Sequence, residues 1–397
     1  MLITSLLIVF VYFLMNVGLV LAWLFFKPSA SKESDLKIQH SKTIQVEFSI
    51  IIPVRNEAKG ILFLLQDLEK QTFPKDKFEV IIADDDSTDE TLKIVRAFQK
   101  NSSINLIINQ LPIKVNNTSP KKRAIDSSIQ LAKGQLITTT DGDCRVGERW
   151  LETIANFQTE TGAYLISGAV TFCENQEIKE KSFIQRIAHS VIEKTQIIEF
   201  ASLIGTGACA MFIGKPNMCN GANLTYLKSV FHEVDGFVGN EALASGDDEF
   251  LMHKVTAKYP RKVQFLKSQD VIVETQALDS WKSFYNQRKR WASKWQHYNN
   301  WQTTALAVFV FSANFILPLA FSFWLLAFIS TKLFCLILLL KFSAEFIFLA
   351  LIVSFLRKKH LIWLIPFVQI VYPFYVTFFG IVAQGKSEYM WKGRKLK

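Results

Sequence analysis

Apolar residues dominate both ends of the chain, and the middle alternates short apolar runs with polar ones. No charged side chain occurs from Ile3 to Phe26, and about 20 apolar residues are enough to cross a bilayer. A cleaved signal peptide would have a basic start, a shorter apolar run and a clear cleavage site. The sequence shows none of these three features. Residues 1–26 are therefore predicted to be an uncleaved transmembrane anchor.

Further apolar stretches follow residue 301. They cover residues 303–331, 333–356 and 361–385. The second stretch contains Lys341 and Glu345, whose spacing of four residues lets them pair on one helix face. The pattern predicts about three transmembrane segments within residues 301–385.

The central region, residues 48–300, has a different pattern. Its short apolar runs are rich in β-branched residues, as buried parallel strands are. They cover Phe48–Val54, Phe78–Ala83, Ile104–Ile108 and Leu136–Thr140. Helical patterns lie between them, at about 58–70, 88–100 and 121–133. Strands that alternate with helices predict an α/β domain with a doubly wound sheet, joined to the anchor by a linker at 27–47.

The net charge of +10 is concentrated near the predicted membrane segments. Residues 27–301 hold 35 basic and 33 acidic side chains, and residues 302–397 hold 10 basic and 2 acidic ones. The two parts therefore carry +2 and +8. This distribution favours contact with anionic membrane lipids. It argues against nucleic-acid binding, which typically uses a basic cluster on the folded domain.

Four lysines follow the predicted anchor, at positions 27, 32, 37 and 42. Basic residues favour the cytosolic side of a membrane, which predicts a cytosolic catalytic domain on the cell membrane. Three later spans would then place the basic tail, residues 386–397, outside, whereas the same rule favours a cytosolic tail. One apolar segment is therefore re-entrant, or is divided differently from this interpretation.

The five cysteines are irregularly spaced and form no C-x-x-C pair. This spacing argues against a disulfide framework and against a structural zinc site. A reducing compartment fits it best.

Polar clusters follow three of the predicted strands. They are Pro53–Glu57, Asp84–Asp89 and Thr140–Asp143. Ligands of open α/β sheets bind beyond the carboxyl ends of the strands, so the clusters mark a candidate site. Capping of the following helices is the alternative, and it suits Ser87 or Asp89. Three stacked acids exceed what a cap needs.

Neither G-x-G-x-x-G nor G-K-[ST] follows the first strand, which argues against a Rossmann dinucleotide site and a P-loop there. Carboxylates on the base and ribose, with a metal on the phosphates, can still hold a nucleotide. Asp141 and Asp143 flank a glycine, which lets the backbone approach a diphosphate closely. Such oxygen ligands suit Mg²⁺ or Mn²⁺ and leave positions open for phosphate oxygens.

Six segments resemble, in order, the motifs of inverting family 2 glycosyltransferases of the GT-A fold. They are SIIIPVRNEAKGI, FEVIIADDDSTDET, TTDGDCRVGERWL, GANLTYLKSVFHEVDGF, SGDDEFLMHKV and QRKRW. The resemblance covers roughly residues 48–295. The apolar segments on both sides resemble the polysaccharide-synthase branch, which includes the chitin, hyaluronan and cellulose synthases. The resemblance implies a Rossmann-like GT-A domain with transmembrane helices. It also implies hexosyl transfer from a nucleotide sugar, which is usually a UDP-sugar, with GDP-mannose as an alternative.

The resemblance also implies a donor site. Residues beside the nucleotide would be Pro53, Arg55, Asn56 and Glu57. Asp84 and Asp85 would contact the base and ribose, and Asp141 and Asp143 match the metal motif.

Lys121 lies near the lysine of the family's G-K-x-x-A-L-N segment. Here Pro120 replaces the glycine and Asp126 replaces the asparagine, so Lys122 is a rival for that role.

The family's Glu-Asp pair corresponds to Asp247 and Asp248. The second acid, Asp248, would be the general base that takes the proton of the acceptor hydroxyl, with Asp247 and Glu249 as competitors. Alternatively, these acids only stabilise the solvent-exposed start of a helix, because acidic side chains are favourable at a helix N-terminus.

The Q-x-x-R-W motif consists of Gln287, Arg290 and Trp291, which share about one helix face. Arg290 can offer a bidentate fork to the diphosphate, and Trp291 can stack on a sugar. Because other tryptophans and basic residues lie nearby, a membrane-interface helix is a second interpretation, and both can hold.

A membrane-bound glycosyltransferase is the first functional hypothesis, and a non-catalytic binding or scaffold protein that keeps the GT-A fold is the second. A transporter is disfavoured because the predicted spans carry almost no buried charge. The acceptor is expected to be a lipid, a lipid-linked glycan or a growing polysaccharide. Few polar side chains line the spans, namely Ser312, Asn314, Ser322, Lys341, Glu345 and Gln369, which favours a lipid-type acceptor.

Overall fold

The structure is a computed structural model. It describes residues 2–27, 47–112, 119–174, 183–241, 243, 245–278, 281–293, 301–382, 389–391 and 394–396. The chain divides into two compact units. The sheet unit consists of Lys27–Cys173 and Ala210–Gln276, and the helical unit consists of Met1–Phe26, Glu174–Cys209 and Ala277–Lys397.

One mixed sheet of seven strands is the framework of the described part of the sheet unit. Its strands are β1 (Phe48–Val54), β2 (Phe78–Asp84), β3 (Asn105–Gln110), β4 (Leu136–Thr139), β5 (Leu165–Gly168), β7 (Leu224–Leu227) and β8 (Val263–Leu266). Their order is β3-β2-β1-β4-β7-β5-β8. A short parallel pair, β6 (Val170–Cys173) and β9 (Val273–Gln276), lies apart from this sheet.

The first four strands are parallel, and the fifth in the sheet reverses direction. Strand β1 pairs in parallel with β2 on one side and β4 on the other. Strand β7 is antiparallel to both β4 and β5, and β5 is parallel to β8. The carboxyl ends of β1, β2 and β4 therefore meet at one edge of the sheet.

Helices separate the strands along the chain. They are α2 (Ile61–Glu69), α3 (Thr91–Gln99), α4 (Pro120–Leu131), α5 (Trp150–Thr161), α7 (Lys228–Glu233) and α8 (Asp247–Lys258). Every residue of β2 is buried, as is expected for a strand covered on both faces. The predicted α/β sheet is confirmed, and the predicted start and end of the first strand coincide with those of β1.

Apart from the shorter, polar helix α9, the described helices of the helical unit are long and apolar. They are α1 (Leu2–Phe25), α6 (Phe183–Phe212, shared with the sheet unit after Cys209), α9 (Trp281–Ser293), α10 (Trp301–Leu325), α11 (Thr331–Phe355) and α12 (Ile365–Val382). Five stretches among the described residues are long and apolar enough to cross a membrane: Ile3–Phe25, Ser190–Phe212, Thr304–Leu325, Thr331–Phe355 and Lys359–Val382. Four of these correspond to the apolar segments predicted from the sequence, whereas Ser190–Phe212 was not predicted.

The division into units differs from the predicted domains. Residues 174–209 and 277–300 fall within the predicted catalytic domain, 48–300, but belong to the helical unit. A short hairpin, β10 (Tyr389–Trp391) with β11 (Arg394–Leu396), lies in the predicted basic tail. Most of the predicted linker and half of the tail lie outside the described residues.

Charged side chains inside the helical unit are paired. The Nζ atom of Lys341, a residue that is 1% exposed, lies 2.7 Å from Oε2 of Glu345. The hydroxyl of Tyr12 on α1 donates to Oε1 of Glu345 at 3.2 Å. The i, i+4 ion pair expected from the sequence is thus present, and it also joins α11 to α1.

Candidate active site

The loops after β1 and β4 pack closely against each other at the sheet edge. A Cβ atom on Gly60 would lie 2.8 Å from Cα of Asp143. A Cβ atom on Gly142 would lie 2.9 Å from Cγ1 of Val54 and 3.0 Å from Cγ of Glu57. Both glycines are therefore required by this contact, which holds the D-G-D turn against the first strand end.

Two guanidinium groups surround Asp85, which is 3% exposed. Nη1 of Arg55 donates to the carbonyl oxygens of Asp85 and Asp86 at 2.5 and 2.8 Å. Nη2 of Arg123, on α4, donates to Oδ1 of Asp85 at 2.5 Å. The acids after β2 are thus offset by cations that come from two other elements.

The first two strand-end loops are joined by hydrogen bonds. Asn56 adopts a left-handed conformation, with φ of 54°, which asparagine tolerates better than most residues. Its backbone N–H donates to Oγ of Ser87 at 3.1 Å, and its side-chain Oδ1 accepts from the backbone N–H of Thr88 at 2.8 Å. The buried Asp84 accepts from the N–H of Ser87 at 3.3 Å. Asn56 and Asp84 therefore shape the loops.

Other predicted residues support the same junction. Pro53 lies in β1 opposite Ala83. The N–H of Glu57 donates to Oγ1 of Thr91 at 2.8 Å. Asp89 accepts from the N–H groups of Ala58 and of Thr91, the first residue of α3, so this acid has a structural role at the start of the helix. Despite some burial, these hydrogen bonds lower the pKa of Asp89.

Lys121 connects two of the predicted motifs. Its Nζ atom lies 2.7 Å from Oδ1 of Asp141 and 3.6 Å from Oδ2 of Asp247. Nζ of Lys122 instead donates to the carbonyl oxygen of Asn240 at 2.6 Å. Between the two rival lysines, Lys121 is the one that the structure places at the carboxylates.

The electrostatic balance keeps Lys121 charged. Burial opposes the charge, but the carboxylates of Asp141, Asp247 and Asp248 outweigh it and raise the pKa of Lys121 above its ordinary value. The group is a permanent cation at physiological pH, because lysine is already protonated there at its ordinary pKa.

The D-G-D carboxylates are partly exposed. Oδ2 of Asp143 accepts from Oγ1 of Thr275 at 3.2 Å, which orients the group. Among the described residues, no three His, Cys, Asp or Glu side chains form a metal cluster. Two carboxylates suit a divalent ion whose other ligands are substrate phosphates and water. Burial, with the neighbouring Asp143 and Asp141, raises the pKa of Cys144, which argues against a nucleophilic thiolate.

The two acids that begin α8 have different surroundings. Oδ2 of Asp248 accepts from the N–H of Gly221 at 2.9 Å, and its Oδ1 accepts from the N–H of Glu249 at 2.8 Å. Oδ2 of Asp247 faces Lys121. Glu249 is 7% exposed, which disfavours it as a base for an incoming substrate.

The Q-x-x-R-W residues lie on α9 in the helical unit. Oε1 of Gln287 accepts from Arg288, and the ring of Trp291 stacks on Phe200 with centroids 5.9 Å apart. The role of Gln287, Arg290 and Trp291 at a donor remains a prediction.

Sequence reasoning missed three supporting residues: Arg123, Gly221 and Thr275. Gly221 begins the motif segment GANLTYLKSVFHEVDGF, and Arg123 lies in the segment that corresponds to the family's G-K-x-x-A-L-N. Both residues therefore lie in recognisable motifs. Thr275 is 132 residues from Asp143 and had none.

Two family descriptions match the chain. Glycosyl transferase family 2 matches residues 49–219, and Glycosyl transferase family group 2 matches residues 136–379, more than half of the chain. The chain belongs to glycosyltransferase family 2.

Relatives match parts of this family 2 chain. Poly(ribitol-phosphate) beta-N-acetylglucosaminyltransferase TarS of Staphylococcus aureus is 36% identical over 29% of this chain and 19% of its own length. Glycosyltransferase AglE of Haloferax volcanii is 34% identical over 31% of this chain and 39% of its own length. The matches thus span less than half of these curated relatives.

A solved structure shares the fold. The mannosyltransferase PcManGT from Pyrobaculum calidifontis, in complex with GDP-Man and Mn²⁺, is 16% identical and has a TM-score of 0.52. The match covers 91% of this chain and 98% of that one.

A divalent ion bound at Asp141, as the sequence predicts, would compete with Lys121, because both would neutralise the same oxygen. We expect Lys121→Met to tighten Mn²⁺ binding without nucleotide by about two- to fivefold, the range for one partly exposed ion pair. Electron paramagnetic resonance of free Mn²⁺ measures this. Lys122→Met is the matched control and should leave Mn²⁺ affinity unchanged. Equal affinities in Lys121→Met and the unaltered protein would contradict the assignment.

Proposed function

We propose that this protein is a membrane-bound inverting glycosyltransferase that moves a sugar from a nucleotide-sugar donor to a lipid, lipid-linked or polysaccharide acceptor. The observation that carries the proposal is the Lys121 bridge between Asp141 and Asp247. It brings the metal motif and the acid pair of the family together at one sheet edge. A donor diphosphate bound there would lie beside the base that activates the acceptor.

The donor nucleotide is proposed to occupy the edge formed by the first two strand ends. Asp84 and Asp85 match the acids of the family motif that contact base and ribose, and Arg55 and Arg123 both donate hydrogen bonds to Asp85. The solved relative binds GDP-Man. A UDP-sugar is the usual donor of the polysaccharide-synthase branch, and it is the donor we favour.

Asp141 and Asp143 are proposed to hold Mg²⁺ or Mn²⁺ against the donor diphosphate. A bound divalent ion would neutralise the diphosphate and make it a better leaving group. The protein's own contribution is to orient Asp143 through Thr275 and to supply the cation of Lys121. Arg290 is proposed as a further donor to the diphosphate.

Asp248 is proposed as the general base. The acceptor hydroxyl oxygen forms a bond to the anomeric carbon while the bond from that carbon to the diphosphate oxygen breaks. Asp248 takes the hydroxyl proton, and the diphosphate leaves with the bonding electron pair. Displacement from the opposite face inverts the sugar configuration. The N–H of Gly221 fixes the carboxylate for this step.

The connectivity around α6 supports a proposal about the membrane disposition. Helix α6 joins β6 to the strand β7, yet β7 pairs with β4 and β5, which precede α6. A single crossing by α6 would place parts of one sheet on opposite sides of the bilayer. We therefore propose that α6 does not span the membrane, that the sheet unit lies in the cytosol, and that the crossings are made by segments among α1, α10, α11 and α12.

A lipid-type acceptor is favoured over an enclosed polymer channel. Several polar side chains of the spans already have partners within the helical unit, although the buried Oδ1 of Asn314 has no hydrogen-bond partner among the described residues. Ser312, Asn314 and Ser322 donate to carbonyl oxygens four residues earlier, Gln369 donates to the carbonyl oxygen of Phe342, and Lys341 pairs with Glu345. Side chains committed in this way offer little lining for a sugar polymer.

Membranes that contain the protein, incubated with a panel of labelled nucleotide sugars, test the function. We expect one donor, a UDP-sugar first, to label an organic-phase product with a single added sugar. Long labelled chains made by the purified protein would instead show polymer synthesis. A folded protein that transfers and hydrolyses none of the donors would support the scaffold alternative.

The metal proposed at the D-G-D turn is tested by chelation and by one substitution. Chelation by EDTA should abolish transfer, and Asp143→Asn should lose most activity while the thermal unfolding midpoint stays close to that of the unaltered protein. The effect on folding should be small, because asparagine has nearly the same shape as aspartate and Asp143 is partly exposed. Excess Mg²⁺ or Mn²⁺ should restore the chelated enzyme. Full transfer in excess chelator would rule out the metal.

The base is tested by replacing each acid of the pair. Asp248→Asn should lower kcat by about 10²–10⁴ with little change in donor affinity, because a base acts in the transition state. Asp247→Asn is the control at the neighbouring acid. It should chiefly weaken donor binding, because it removes the charge of Asp247 that pairs with Lys121. Near-normal kcat in Asp248→Asn together with an inactive Asp247→Asn would reverse the assignment.

A further inference from the structure

The helix α9 carries a buried arginine at a variable position of Q-x-x-R-W. Arg288 is 2% exposed, whereas Lys289 and Arg290 are partly exposed. A buried guanidinium is costly to desolvate unless it is paired and hydrogen-bonded. Its partners therefore indicate what the residue does.

Arg288 joins three helices of the helical unit. Its Nη2 atom pairs with Oε2 of Glu199 on α6. Oε1 of the same carboxylate accepts a hydrogen bond from the hydroxyl of Tyr375 on α12, at 3.0 Å. The buried carboxylate thus holds α9 and α12 at once.

Arg288 also contacts two motif residues directly. Its Nη1 atom donates to Oε1 of Gln287. Its guanidinium carbon lies 4.3 Å from the ring centroid of Trp291, within the range of a cation–π interaction. The ring of Trp291 stacks in turn on Phe200, the residue after Glu199.

Helix α6 holds the segment before α9 as well. Nε2 of Gln196 donates to the carbonyl oxygen of Leu278 at 3.1 Å, and the N–H of Leu278 donates to Oε1 of Gln196 at 3.4 Å. Gln196 and Glu199 are three residues apart, so they share one face of α6. This face of α6 therefore holds both α9 and the chain segment that leads into α9.

We propose that Arg288 and Glu199 form a latch that sets the rotation of α9 and thereby positions Arg290. Residues two positions apart project about 200° apart around a helix, so anchoring Arg288 against α6 directs Arg290 away from α6. This inference rests on the proposed function, in which Arg290 binds the diphosphate. Arg288 and Glu199 are positioning residues that act through α9 without touching the donor.

Glu199→Gln tests the latch, because it removes the charge but keeps the size and an acceptor for Tyr375. We expect kcat to fall by about 10- to 100-fold, the loss typical of a misplaced catalytic group. In an Arg290→Ala background the same change should have little further effect, since both act through one side chain. Equal losses in both backgrounds would show a merely structural role.

Glu345→Gln is the matched control. It breaks the buried Lys341 pair in the same unit, and its contacts are with α11 and α1. Its effect on kcat should be the same with and without Arg290. If Glu199→Gln and Glu345→Gln behave alike in this cycle, the latch is wrong.

Hydrogen exchange tests the latch without activity. The α9 amides should exchange faster in Glu199→Gln and at the unaltered rate in Glu345→Gln. Unchanged α9 exchange in Glu199→Gln would overturn the latch even if kcat falls. Absence of transfer in a folded, unaltered protein would instead overturn the proposed function, while the exchange result still decides the latch.

Discussion

Repulsion between carboxylates is the constraint around which the sheet edge is built. Parallel pairing of β2, β1 and β4 brings the acids of two strand ends together, and α8 adds Asp247 and Asp248. Three cations offset them: Arg55 and Arg123 at Asp85, and Lys121 at Asp141 and Asp247. Since the two arginines and Lys121 come from elements distant from these acids in sequence, the edge exists only in the folded domain. At such an edge, a charged ligand can bind by replacing one partner of an existing ion pair.

The D-G-D turn shows how close packing supports this chemistry. Gly60 and Gly142 leave no room for a side chain where the loops meet, so the turn is pressed against the first strand end. The hydroxyl of Thr275 then orients Asp143. Backbone contact sets the position of the carboxylates, and the hydroxyl sets the direction of one of them.

Buried ion pairs organise the helical unit by the same electrostatic logic. Among apolar helices, an unpaired charge is far more costly than at a surface, so Lys341 with Glu345 and Arg288 with Glu199 each hold helices in a defined arrangement. The first pair was predictable because its partners are four residues apart on one helix. The second joins residues that are 89 apart in sequence, and no local pattern reveals it.

The sequence by itself determined the first four strands and the polar clusters after three of them, because both depend on short-range patterns of β-branched and acidic residues. It also identified four apolar helices from their length. It did not single out α6, because Glu193, Gln196 and Glu199 interrupt the apolar pattern and are buried in the folded unit. Neighbouring residues on a helix point about 100° apart. The packing of α4 therefore decided that Lys121, and not Lys122, reaches the carboxylates, and only the tertiary structure defines that rotation.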